Sequence, residues 1–254
     1  MSNVTGVILT YNEERYIEEC IKSLSWTDEI IVLDSGSTDR TVEISQALGT
    51  FIYTRPFRDF ADQRNAAIGM ISSEWVFFLD ADERVSPQLA AEVRAAVQDS
   101  EITGFWIPRH NYQIGRLILH AGLYPDYQLR LFRKDNGHYD TTQKVHERVV
   151  LNGTAGYFTN PIIHISCETW ADFIRHQKRY AQMKAEMHFE RGIKPTYHFI
   201  AGPVLEFLRR YLILQGFRDG IHGLYLSYVF AYYYLIMYVN LARLWKTRGL
   251  ETSV

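Results

Sequence analysis

The chain has 254 residues, 47% of them hydrophobic and 22% charged, with a formal net charge of −2. That is enough apolar material for a sizeable core, which excludes a disordered or fibrous chain, and the near-balanced charge gives no global basic field, so nucleic acid is not an expected partner. Cys20 and Cys167 are far apart and lack metal-ligand spacing, which fits a reducing compartment better than a disulfide framework; the start, Met1-Ser2-Asn3-Val4-Thr5, has no signal-peptide pattern, and a cytoplasmic location follows as the expectation.

From the N-terminus, short β-rich runs alternate with helical patterns, the signature of a parallel sheet with helices on both faces. Strands are expected near 5–9, 29–33, 51–54 and 75–79, and helices near 13–25, 40–48 and 61–71. Another helix follows Ser86-Pro87, where Ser can cap and Pro can occupy the first turn. In such sheets ligands bind beyond the carboxyl ends of the strands. Polar clusters stand at three of those ends: Thr10-Tyr11-Asn12-Glu13 after the first strand, Asp34-Ser35-Gly36-Ser37-Thr38-Asp39 after the second, and Asp80-Ala81-Asp82-Glu83 after the fourth. Each has a plainer reading as a cap, a turn or solvated acids. Together they suit a nucleotide. Asp34 and the hydroxyl residues match a base edge and ribose, and Asp80 and Asp82, two apart on one face of an extended segment, could reach one divalent ion that keeps sites free for phosphate oxygens. Neither a Gly-rich dinucleotide fingerprint nor a phosphate-loop Gly-Lys-Ser/Thr is present.

The ordered set Leu9-Thr10-Tyr11-Asn12-Glu13-Glu14, Val32-Leu33-Asp34-Ser35-Gly36-Ser37-Thr38-Asp39-Arg40-Thr41, Gln63-Arg64-Asn65-Ala66-Ala67 and Phe78-Leu79-Asp80-Ala81-Asp82-Glu83 resembles the family-2 glycosyltransferases of the GT-A fold. The likeness continues through Arg130-Leu131-Phe132-Arg133-Lys134 and Val145-His146-Glu147-Arg148. It implies a Rossmann-like α/β domain, mainly parallel and flanked by helices, over 1–167, with a donor half to about 100 and an acceptor half beyond. It also implies an inverting enzyme that takes a sugar from a nucleotide diphosphate. Carried over residue by residue, Thr10, Tyr11 and Glu13 lie around the nucleoside, Asp34 reads the base, and Asp39 or Arg64 helps hold the pocket and diphosphate. Asp80 and Ala81 lie near the ribose and donor, and Asp82 ligates Mg²⁺ or Mn²⁺. Glu147 is the expected catalytic base, with Asp126 and Asp140 as competing acids. His164 is the better candidate for a late histidine completing the metal site, with His146 as its alternate; an apolar run such as Ile162-Ile163-His164-Ile165 equally suits a structural histidine.

Beyond about Glu168 the pattern turns to long helices rich in basic and aromatic residues, a helical appendage over 168–254. Residues 221–242 contain no Asp, Glu, Lys or Arg, a length that could cross a bilayer, yet tyrosines recur throughout instead of clustering at the ends. A helix buried in a hairpin, an oligomer interface or the membrane surface is the expectation, packed on the segment where Phe207, Tyr211 and Leu214 recur. The tail and Val145-His146-Glu147 resemble the glucosyltransferases of the lipopolysaccharide inner core, which implies UDP-glucose as donor and a glycolipid acceptor met at the cytosolic face of the inner membrane. Two other classes remain open on residues alone: a sugar nucleotidyltransferase, disfavoured by the missing early Gly-rich basic loop, and a non-catalytic scaffold of the same fold.

Overall fold

A computed structural model describes residues 3–98, 101–141, 148–167, 169–196 and 198–251. The chain forms two compact units, Met1–His110 with Asp126–His164, and Asn111–Pro125 with Ile165–Val254.

In chain order the first unit begins β1 (Val4–Thr10), α1 (Ile17–Ser23), β2 (Glu29–Asp34), α2 (Thr41–Ala47), β3 (Phe51–Thr54), α3 (Phe60–Ile68), β4 (Trp75–Asp80), β5 (Glu83–Val85) and α4 (Pro87–Ala96). There follow β6 (Ile102–Gln113), β7 (Arg116–Ile118), β8 (Tyr127–Arg133), β9 (Gly137–Tyr139), β10 (Val149–Leu151), β11 (Thr154–Tyr157) and β12 (Ile162–Cys167). The main sheet runs β3-β2-β1-β4-β8-β6-β12-β5, with β11 on β6. Its first four strands are mutually parallel, and β8 joins β4 antiparallel.

Strand β4 is an unbroken apolar run from Trp75 to Leu79, and β1 is buried along nearly its whole length, because both faces are covered. Ile8, Trp75, Phe77 and Leu79 pack with Ile17, Ile21 and Leu24 of α1 and Leu89 and Val93 of α4. The alternate residues Val7, Val76 and Phe78 pack with Ala61 and Ala67 of α3. This is the mainly parallel α/β sheet between helical layers that the residues and the resemblance imply. The expected Ser86 cap is present, its Oγ accepting from the Leu89 N–H at 3.2 Å, with Pro87 at the first helical position.

Register decides where the polar ends meet. Thr10 pairs with Asp34, Leu9 with Asp80 and Asp34 with Thr54, so the strands stop nearly level along one rim. After Asp80 the chain turns at Ala81-Asp82, and β5 pairs antiparallel with β12, which sets His164 opposite Glu83.

In the second unit the end of β6 and β7 form a hairpin, Asn111 opposite Ile118. Helices α5 (Trp170–Glu190), α6 (His198–Leu208) and α7 (Gly220–Glu251) make up the rest. Ala181 and Ala185 of α5 pack with Met237 and Leu241 of α7. Helix α6 lies antiparallel to α7, with Gly202 beside Tyr238 and the Arg210 guanidinium 3.6 Å from the Phe230 ring centroid. They are joined by a π turn at Arg209–Ile213, a left-handed Gln215 (φ 55°) and a 3-10 turn at Gly216–Asp219. Glycine is required at 223, where a Cβ would stand 1.8 Å from the Gly216 carbonyl oxygen.

Candidate active site

The loops after β1 and β2 are stitched into one surface. Asp34, only 1% exposed, accepts from the Gly36 and Ser37 N–H groups at 2.9 Å each and from the Thr10 and Ser37 hydroxyls at 3.1 and 2.5 Å. Gly36, at φ +93°, makes that tight return affordable for the backbone. Across the gap, the Asn12 N–H donates to Ser37 Oγ at 2.8 Å and Asn12 Oδ1 accepts from the Thr38 N–H at 2.8 Å. Asp39 accepts from the Glu14 and Thr41 N–H groups at 3.1 and 3.0 Å and from the Thr41 hydroxyl at 2.5 Å. Burial pushes the Asp39 pKa up, but these hydrogen bonds outweigh it and hold the carboxyl below the usual range. Tyr11, by contrast, leaves 60% of its surface open at this rim.

Beside the loops lies a network of three acids and three arginines. Asp80 accepts from Arg64 Nη2 at 3.0 Å and from both terminal nitrogens of Arg130, at 3.3 and 2.5 Å. Glu83, with no exposed surface, accepts from Arg109 Nη1 at 3.2 Å, Arg130 Nη2 at 3.1 Å and the Asp80 N–H at 3.0 Å. Arg109 also holds Asp126 at 2.7 Å. The crowded protein surroundings of Asp80 push its pKa up, but Arg130 and Arg64 outweigh them and keep the carboxyl far below the usual carboxylate range. Desolvation lowers the Arg130 pKa, and Asp80 and Glu83 more than reverse this. The Arg64 guanidinium also lies 5.2 Å from the Tyr139 ring centroid.

Asp82 has a different neighbour. Its Oδ2 is 3.3 Å from His164 Nε2, and the two side chains are 33% and 15% exposed. The expectation that Asp80 and Asp82 act together rested on extended backbone, and that ends at Asp80; Asp80 is committed to arginines while Asp82 faces an imidazole. Among the described residues no three His, Cys, Asp or Glu side chains form a ready-made cation site. A carboxylate oxygen and an imidazole nitrogen converging at this distance nevertheless suit a hard or borderline divalent ion with its remaining positions open. Nearby, the Glu13 carboxyl is pushed up to about 7, chiefly by burial and then by the charges of Asp82, Asp39 and Asp80. That excess of anions is a second feature compatible with a cation.

Of the residues singled out in the sequence, Thr10, Asp34 and Asp39 thus build the loop surface. Arg64 and Asp80 pair, Asp82 meets His164, Ala81 is buried at 4% exposure in the turn between them, and Glu13 lies within the field of the acids. Glu147 and His146 lie outside the described residues. Asp126 is held by Arg109, and the Asp140 N–H donates to the Arg148 carbonyl at 3.0 Å. Sequence reasoning missed Arg109 and Glu83 and named Arg130 without giving it a role at this site. The signal for Arg130 was its setting, Leu129-Arg130-Leu131-Phe132: a cation in a buried strand requires an anionic partner. A groove of about 640 Å³ lined by Asn65, Lys134, Asn136, His138 and Asn152 contains none of the candidate residues. Its Lys134 bonds through the backbone to Glu74 at 3.0 Å, at the start of β4 and away from the rim.

The chain is 34% identical over 231 residues to the lipopolysaccharide core biosynthesis glycosyltransferase LpsC of Rhizobium meliloti (strain 1021), covering 87% of this chain and 84% of that protein. It is 28% identical over 255 residues to the uncharacterized glycosyltransferase RT0209 of Rickettsia typhi, covering 91% and 84%. The crystal structure of S. aureus TarS 1-349 is similar with a TM-score of 0.48 and 16% identity, over 91% of this chain and 89% of that one, a likeness that assigns no residue a role. Residues 5–154 match the profile of glycosyl transferase family 2, and the chain belongs to that family.

Proposed function

We propose that the protein is an inverting transferase that moves a sugar, glucose in the favoured case, from a nucleotide diphosphate sugar to an acceptor hydroxyl. UDP is the favoured nucleotide, and a bacterial surface glycan or glycolipid such as lipopolysaccharide core is the acceptor. The observation that carries this reading is the level ending of β1, β2 and β4, with Thr10, Asp34 and Asp80 at adjoining strand ends. Likeness to a protein named for lipopolysaccharide core biosynthesis supports the acceptor class.

In this reading Tyr11 offers its exposed ring to the nucleoside, with Thr10 and Glu13 beside it. Asp34 serves base recognition through the loop whose backbone it holds, and Asp39 fixes the adjoining turn. Arg64 and Arg130 immobilise Asp80 at the donor, with Ala81 beside it, so that the charge is already oriented when bonds rearrange. Asp82 and His164 would hold Mg²⁺ or Mn²⁺; when bound, that ion supplies positive charge against the departing diphosphate. Glu147 accepts the proton of the acceptor hydroxyl as its oxygen bonds to the anomeric carbon on the face opposite the breaking bond, which inverts the configuration. The work is done at the cytosolic face of the inner membrane, where both substrates meet.

Calorimetric titration of UDP-, GDP- and dTDP-sugars with Mn²⁺ or EDTA, beside Asp82→Ala, tests the donor site. One nucleotide class should bind in a metal-dependent way and the variant should lose it; absence of binding by every donor would sink the reading. Glu147→Gln should keep donor binding while transfer falls roughly 10²- to 10⁴-fold, the usual worth of a positioned base.

A further inference from the structure

The turn between α6 and α7 leaves large apolar side chains uncovered. Leu205 is 60% exposed, Leu212 54%, Ile213 73%, Phe217 50% and Ile221 67%. Leu205, Leu208 and Leu212 are helical steps apart along α6 and the π turn. Ile213, Phe217 and Ile221 belong to the connecting turns and the first turn of α7, so the uncovered apolar side chains run from the end of α6 through the turns to the start of α7 as an apolar ridge.

The charges around it are one-sided. Between 198 and 247 the only acids are Glu206 and Asp219, and both are buried. Glu206 accepts from Arg209 at 2.9 and 2.8 Å and from Arg210 at 2.6 Å. Asp219 accepts from the His120 N–H at 2.9 Å and lies 2.9 Å from His120 Nδ1. Solvent therefore meets the basic side chains of Arg209, Arg218, Arg243 and Lys246, two of which stand within the apolar ridge.

We infer that this ridge is a docking surface for an anionic phospholipid leaflet, its apolar side chains entering the acyl boundary and Arg209 and Arg218 lying at the phosphates. A symmetric contact of this turn with its own copy would bring arginine onto arginine, since the acids of the turn, Glu206 and Asp219, are buried. Spanning is opposed by α5, because the second half of α7 packs on a helix whose Arg175, Lys178, Arg179, Glu186 and Glu190 are exposed, and these would enter the hydrocarbon with it. Helix α7 is long and apolar enough to cross a membrane by length and composition; its packing directs it to the surface instead. The inference is independent of the donor reading.

Sedimentation of the full chain with phosphatidylcholine vesicles, and with vesicles that also contain phosphatidylglycerol, tests it. Binding should require phosphatidylglycerol and weaken with added salt. The double variant Ile213→Ser, Ile221→Ser should bind about tenfold less or worse with an unchanged melting temperature, since both side chains already face solvent. Arg218→Glu should weaken binding to the anionic vesicles alone, and gives a second readout if the double variant fails to fold. No binding to anionic vesicles, equal binding to both lipids, or full binding by a folded double variant would overturn the proposal. So would a dimer in solution that the double variant abolishes, which would assign the ridge to a second copy.

Discussion

Glu83 stands in a sequence cluster that looks solvated, yet it is fully buried against two arginines and a backbone N–H. Glu83→Gln would leave Arg109 and Arg130 short of a buried anion. The expected loss is about 3–5 kcal/mol, the usual consequence of removing one partner from a buried ion pair; urea unfolding measures it, and a midpoint equal to wild type would deny the network its structural weight. At this scale the polar identity of the rim was legible, because Asp34, Asp80 and Asp82 follow apolar strands. The partner of each acid was not. Arg64 is 16 residues from Asp80 and Arg130 is 50, and nothing in local pattern says which cation a carboxylate will meet.

Among elements, those with a full period were legible. Strands β1 to β4 and the helices between them fall where apolar runs, Ser86-Pro87 and Gly-Ser-Asp clusters place them, since the same local forces operate before and after folding. Three-residue strands such as β5, β7, β9 and β10 carry no periodicity and exist through their partners. Strand β5 matters most, because pairing with β12 brings His164 to Asp82. The turn into α7 is equally tertiary. A Cβ on residue 223 would collide with the Gly216 carbonyl, so Gly223→Ala should cost about 1–3 kcal/mol as an overpacking change. Thermal denaturation would register this, and an unperturbed melting temperature would mean that the turn readily rearranges.

For the molecule as a whole, acid behaviour should show two limbs. In Asp28, Asp39, Asp80, Glu92 and Glu206 burial raises the pKa but hydrogen bonds or arginines outweigh it, so each is lowered. Lowered carboxylates contribute stability in full above their unfolded pKa, about 4, and lose it as pH falls through the folded value. Glu13 has the opposite sign: raised to about 7 from 4.5, it removes stability as pH climbs across that interval. Urea midpoints in metal-free buffer should therefore rise from strong acid toward about pH 4.5 and then lose part of the gain by about pH 7. Glu13→Gln should flatten the upper limb and leave the lower one, and an unchanged upper limb would remove Glu13 as its source. The sequence by itself determined the α/β class, the rim at which polar residues gather, and the family, because strand burial and loop chemistry are written in neighbouring residues. Only the tertiary structure decided that Asp80 belongs to arginines, that Asp82 meets His164, and that the α6–α7 turn exposes apolar and basic side chains while burying its acids, because those outcomes depend on register and packing between residues distant in the chain.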